Sequence, residues 1–166
     1  RCEDFLTNIP YRNSLTFIIT MNNLNILGLQ DLLQSILRLR AIASHTYQRV
    51  WFDTPILRQP TWQSLQILPP VYADRLAGII EWMELHKETE ENMYVGFKDY
   101  EIARMRRVLD WMHEGSKLAP EYVKLQRADF YRFFNEQDQR SKTNFLATFP
   151  QMKEFWEECR YHAHNE

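Results

Sequence analysis

Polar side chains follow or interrupt three short apolar runs, at the positions where predicted strands end. The polar residues are Thr20, Asn22, Asn23, Asp53, Thr54 and Gln66, and the apolar Leu68 and Pro69 stand with them at the end of the third run. The hydroxyl, amide and carboxyl groups of this set suit sugar hydroxyls, an amino acid head group or the edge of an adenine ring. The alternative interpretation, in which these residues only cap loops, stays open at this point.

The elements that would position these side chains are three strands and one helix. Residues 15–20, 50–52 and 64–68 are rich in β-branched, aromatic and aliphatic side chains, and we predict strands there. Residues 29–43 carry leucines and isoleucines at helical spacing. A strand, a helix and a strand in this order favour parallel pairing, and ligands of parallel sheets bind beyond the carboxyl ends of the strands.

The sequence pattern of the second part of the chain predicts helices only. Apolar residues recur at helical spacing over residues 71–87, 99–114 and 120–135, and Pro150 stands at the first turn of a last helix that ends near Tyr161. We read the aromatic residues of these helices as core rather than as a platform for stacking bases, because acidic residues lie among them. Residues 1–70 and residues 71–166 are therefore predicted as two regions.

Composition excludes several classes of function. The chain has 166 residues, a formal net charge of −2 and four glycines, so it lacks a global basic field and a glycine-rich phosphate loop. Nucleic acid is therefore not favoured as a partner. The apolar runs are shorter than the roughly 20 residues that span a bilayer, and two cysteines fit a reducing cytoplasm.

Two clusters of charged or metal-ligating residues are interpreted as surface residues without a functional role. Arg104, Arg106 and Arg107 are interpreted as the solvent-exposed face of a helix rather than as a phosphate site. His162 and His164 stand near Cys159, but a spacing of two residues directs them to different sides of a helix. We expect no metal site there.

Three segments carry a resemblance to a known family. They are SLTFIITMNNLNILGLQDLLQSILRLR (residues 14–40), VWFDTPILRQPTWQSLQILPP (residues 50–70) and RADFYRFFNEQDQRSKTNFLATFPQMKEFWE (residues 127–157). Together they resemble the C-terminal half of radical S-adenosylmethionine proteins of the twitch-domain type. The last segment is the most specific of the three.

The resemblance implies a fold and a site. The fold is α/β: a fragment of a partial parallel (β/α)6 barrel of about three strands in residues 1–70, followed by a helical, twitch-like C-terminal region in residues 71–166. The eight polar or strand-end residues named at the outset would contact the ribose, adenine and amino acid parts of S-adenosylmethionine. The family's cluster motif CxxxCxxC is absent from this sequence, so this chain would not hold the [4Fe–4S] cluster.

Two hypotheses of function follow. In the first, the chain is the C-terminal portion of a radical S-adenosylmethionine enzyme and works only with the missing N-terminal half or with another chain that holds the cluster. In the second, it is a non-catalytic scaffold or binding subunit built on a remnant of that fold. Because the sequence begins with Arg1 in the middle of a pattern, we expect a fragment or a processed product.

Overall fold

Two parallel strands and one helix form the first half of the fold. The computed structural model describes residues 1–8, 13–43 and 47–165. Strand β1 (Leu15–Ile18) and strand β2 (Val50–Asp53) pair in parallel, with Leu15 opposite Val50 and Ile18 opposite Asp53. Helix α2 (Leu29–Ala43) connects them, and a short helix α1 (Cys2–Asn8) packs on α2. The predicted strand–helix–strand order and its parallel pairing are confirmed.

The prediction of a third strand is wrong. Residues 64–68 form a 3-10 turn, Leu65–Ile67, that follows another such turn, Thr61–Gln63. The hydroxyl of Ser64 accepts a hydrogen bond from the amide of Gln66 at 3.2 Å, which fixes the tight turn. A run of five residues with alternating apolar side chains fits a strand or a turn equally well, and here local capping decides.

The fold class expected from the sequence therefore needs correction. The described residues contain one sheet of two strands, β1 and β2, and most of the chain is helical. The chain is a mixed α/β protein, and a barrel fragment of three strands followed by helices is not what it forms. Leu65 and Ile67 are buried as the alternating pattern required, but they pack in a turn and extend no sheet.

The remaining elements are helices. They are α3 (Pro70–Leu85), α4 (Asp99–Glu114), α5 (Pro120–Ser141), α6 (Phe145–Thr148) and α7 (Lys153–His164), with 3-10 turns at Gly115–Lys117 and Pro150–Met152. Helix α4 has the predicted bounds. Helix α5 continues six residues beyond the predicted Asn135, until Lys142 adopts a left-handed conformation with φ 53°. The α5–α7 pair is the largest helix packing of the fold.

One buried ion pair connects α2, β2 and α4. Arg40 and Glu101 are both fully buried, and Nη2 of Arg40 lies 2.5 Å from Oε1 of Glu101. Arg40 also donates to the carbonyl oxygens of Val50 and Gly96, at 3.0 Å each. Glu101 in turn accepts a hydrogen bond from the amide of Lys98, at the start of α4. A buried charge needs such a complete set of partners, so this pair fixes α4 beside β2.

One face and one edge of the sheet are open in the described structure. Val50 and Phe52 are buried on the side of the sheet that faces α2, whereas Ile18 and Trp51 on the opposite face are 74% and 36% exposed. The amide of Leu15 donates to the carbonyl oxygen of Arg49, just before β2, and that of Ile19 donates to Asp53, so those of Thr16 and Ile18 point away from β2. Among the described residues, no helix has the length and hydropathy that a bilayer span needs.

Candidate functional site

The carboxyl ends of the two strands lie side by side, as predicted. The amide of Ile19 donates to the carbonyl oxygen of Asp53 at 2.8 Å, and that of Met21 donates to Pro55 at 2.7 Å. A single parallel bridge between Met21 and Ile56 continues the pairing beyond the strands. The structure thus brings five predicted site residues to one end of the sheet. They are Thr20, Asn22, Asn23, Asp53 and Thr54.

The asparagines in this region build the loop after β1. The side-chain amides of Asn22 and Asn25 both donate to the carbonyl oxygen of Thr20, at 3.1 Å and 2.8 Å. Oδ1 of Asn22 accepts from the amide of Leu24, as in an Asx turn. Asn22 is therefore occupied by its own loop. Of its neighbours, Asn25 was not singled out from the sequence, although an Asn-rich turn signals this type of loop.

Asn23 connects the loop to the chain that follows β2. It is fully buried, its side-chain amide donates to the carbonyl oxygen of Trp62 at 2.9 Å, and its backbone amide donates to Gln63 at 3.1 Å. Its Oδ1 is buried without a hydrogen-bond partner in the described part of the chain. The hydroxyl of Thr54, also buried, is a second such atom. Two unpaired buried acceptors at one end of a sheet are unusual, since most buried polar atoms are paired.

Asp53 is the one charged residue of these five. Its side chain is 49% exposed, and its Oδ1 accepts from the Thr54 amide at 2.8 Å and from Nη1 of Arg104 at 2.7 Å. Asp53 stands on the open face of the sheet, because it is two residues from Trp51. Arg104 lies on α4, 51 residues away in sequence, and was not predicted as part of this site. The pair places both signs of charge at the strand ends.

The other three predicted residues lie elsewhere. Gln66 packs against α4, where its side-chain amide donates to the carbonyl oxygen of Trp111 at 3.1 Å. At this contact Gly115 approaches so closely that an added Cβ would stand 2.5 Å from the Gln66 carbonyl oxygen. Leu68 and Pro69 line the same cavity as Gln66, of about 350 Å³, between α3 and α4. The residues at the strand ends do not line it.

The cysteines and histidines do not form a metal site among the described residues. Cys2 is exposed on α1, and Cys159 is fully buried on α7, where burial raises the pKa of its thiol. Nδ1 of His164 lies within hydrogen-bond distance, 2.8 Å, of the carbonyl oxygen of Arg160. Since iron–sulfur clusters are held by several thiolates, the donors of this chain do not fit a [4Fe–4S] cluster.

The charged and aromatic residues near the C-terminus have structural roles in this fold. Asp138 accepts hydrogen bonds from the hydroxyl of Thr143 and the amide of Phe145, which supports the α5–α6 turn. Phe145 stacks on Trp156 with ring centres 4.4 Å apart, and Phe130 is fully buried beside them. The aromatic side chains thus hold α5, α6 and α7 together.

Comparisons of the chain with family models, with curated proteins and with solved structures found no match.

Proposed function

We propose that this chain supplies part of the S-adenosylmethionine site of a radical enzyme, together with the missing N-terminal half or another chain that carries the iron–sulfur cluster. The proposal rests on the resemblance of residues 14–40, 50–70 and 127–157 to that family. It is supported by two parallel strands whose polar carboxyl ends lie side by side. In this proposal the protein works in the reducing cytoplasm.

The open sheet is the observation that carries the proposal. Parallel sheets are normally covered on both faces and consist of more than two strands, because each strand must bury apolar side chains on both sides. Here Ile18 is 74% exposed, and the outer edge of β1 has no partner strand among the described residues. A further chain that continues the sheet would cover this face and complete the site at the strand ends.

The residues at the strand ends fit the polar parts of the cofactor. The carboxylate of Asp53 is half-exposed and could accept hydrogen bonds from ribose hydroxyls. Thr20, an exposed residue after β1, carries a hydroxyl, and Arg104 offers a guanidinium to a carboxylate. When bound to a cluster held by another chain, S-adenosylmethionine would supply a carbon radical. The residues of this chain would only bind and orient the cofactor.

A non-catalytic scaffold or binding subunit is the second candidate. It is favoured by the internal hydrogen bonds of Asn22 and Asn25, which leave these side chains few groups for a ligand. In that case the open edge of β1 would serve assembly alone.

Amide NMR spectra of the purified chain, titrated with S-adenosylmethionine, test the proposal. We expect weak binding, in the millimolar range, with shift changes concentrated at residues 20–25 and 53–54. Adenosine alone should shift part of this set, and Asp53→Asn should weaken both titrations. Glu121→Gln, which changes an exposed carboxylate on α5, is the matched control. Saturable shifts elsewhere, or none at these residues, would contradict the proposal and favour the scaffold.

A further inference from the structure

The arginines of α4 separate into two groups that contact different parts of the protein. Arg106 points toward α3 and pairs with Glu84. Arg104 contacts Asp53 instead, and Arg107 follows it by three residues, which places the two on adjacent turns of the same side. Arg104 reaches the carboxyl end of β2 through its contact with Asp53. From the sequence we expected these three arginines to share one solvent-exposed face of the helix.

A third arginine joins this side of α4 from the chain after β2. The guanidinium of Arg58 lies 5.4 Å from the ring centre of Trp111, and Trp111 follows Arg107 by four residues. Arg58, Arg104 and Arg107 therefore border one stretch of about two helical turns. We call these three residues the arginine cluster.

Aromatic rings orient two members of the arginine cluster. Arg58 lies over Trp111, and Arg104 lies over Tyr100, each at 5.4 Å from the ring centre. Both distances lie within the range of cation–π contacts, and such a contact leaves N–H groups of the guanidinium available for oxygen atoms. One edge of Arg104 contacts Asp53, whereas Arg58 and Arg107 are exposed and form no ion pair within the described residues.

The net charge of the arginine cluster remains positive when the neighbouring carboxylates are counted. Asp53 pairs with Arg104, and Asp110 lies one turn beyond Arg107 without contacting it. Three guanidinium groups thus face two carboxylates. Glu114, a further turn along, lies beyond Trp111. Arg104 and Arg107 stand one helical turn apart, and a guanidinium binds a phosphate or a carboxylate through two parallel N–H groups.

We infer that the arginine cluster binds a small molecule with a multivalent oxyanion, a phosphate or a carboxylate, at the carboxyl end of β2. This is where ligands of parallel α/β sheets bind. The site shares Arg104 with the proposed S-adenosylmethionine site, and it rests in addition on Arg58 and Arg107, which that proposal does not use. Its ligand could be a substrate or an effector.

Titration with two probe anions at low ionic strength tests this inference. Inorganic pyrophosphate and citrate are added separately, while the side-chain Nε–Hε signals of the arginines are followed by NMR. We expect saturable shifts for Arg58, Arg104 and Arg107, and weaker binding as salt is added. Binding of pyrophosphate alone identifies a phosphate ligand, and binding of citrate alone identifies a polycarboxylate.

Two variants on the same helix give the control. Arg107→Gln should raise the Kd of the bound probe about tenfold, which corresponds to roughly 1.4 kcal/mol. Arg106→Gln removes one positive charge outside the arginine cluster, where Arg106 pairs with Glu84, and should change the Kd by less than about twofold, since exposed charges act weakly at a distance. Circular dichroism checks that both variants fold. Absence of saturable shifts, or equal losses in the two variants, would overturn the inference.

Discussion

Removal of the charge on Glu101 should destabilise the protein more than any change to a surface ion pair. Glu101→Gln keeps the shape of the side chain but leaves the guanidinium of Arg40 buried without its counter-ion. Loss of one partner of a buried pair typically costs about 3–5 kcal/mol. Because a domain of this kind has roughly 5–15 kcal/mol of stability, a fifth or more of it would be lost.

The hydrogen bonds of Arg40 make the loss larger than simple charge pairing suggests. The same guanidinium holds the carbonyl oxygens of Val50 and Gly96, so a shift of Arg40 would leave these acceptors unpaired as well. The double variant Arg40→Met with Glu101→Leu leaves no unpaired charge. Its destabilisation should therefore be smaller than the sum of the two single changes.

Urea unfolding followed by tryptophan fluorescence measures these free energies. Glu121→Gln is the control, because Glu121 forms an exposed pair with Lys124 and should change stability by less than about 1 kcal/mol. A cost below about 1 kcal/mol for Glu101→Gln would refute the reasoning. It would mean that water reaches the Arg40–Glu101 pair and that α4 is not fixed beside β2 by it.

Four further predictions concern acid stability, thiols, the open edge and iron. Burial tends to raise the pKa of Glu88, but hydrogen bonds from Lys98 and from the Tyr94 amide outweigh it and hold the pKa below 4.5. The stability that the ionised Glu88 carboxylate contributes is present above pH 4.5 and is lost as the pH falls through the lower pKa of the folded state. In Glu88→Gln the free energy of unfolding should therefore depend less on pH in the acid range. The same pH dependence in both proteins would contradict this. A thiol reagent should label Cys2 in the native protein and Cys159 only after denaturation, because Cys159 is buried; rapid labelling of both would show that α7 opens. Light scattering should detect self-association at high concentration, and Ile18→Lys should reduce it; a monomeric wild type would argue against association through the outer edge of β1. Anaerobic reconstitution with iron and sulfide should give no absorbance near ~400 nm, and a brown chromophore that depends on cysteine would disprove this.

The first half of the fold was largely predictable from sequence. The β-branched run of β1 and the helical spacing of α2 are strong local signals, and a crossover of this length implies parallel pairing. The segment 64–68 was not predictable in this way, because its alternating pattern is also satisfied by a capped turn. Helix α5 exceeded its predicted end because no glycine or proline stands between Asn135 and Lys142 to end it.

The candidate site was predictable only in part. The strand order places residues 20–23 and 53–54 at one end of the sheet, and these are found there. The contact between Asp53 and Arg104 spans 51 residues, and no local pattern indicates such a distance. Arg40 did give a signal, since it falls on the apolar side of α2, where a charge requires a buried partner. The identity of that partner depended on how α4 packs.

Hydrogen exchange at individual amides of β1, in dilute solution, tests the open sheet most directly. The amides of Leu15 and Ile19 donate to Arg49 and Asp53 and should exchange slowly, whereas those of Thr16 and Ile18 face the free edge and should exchange rapidly. Slow exchange at Thr16 and Ile18, equal to that of their neighbours, would show that the edge of β1 is already paired. The proposed assembly with a further chain at this edge would then be contradicted.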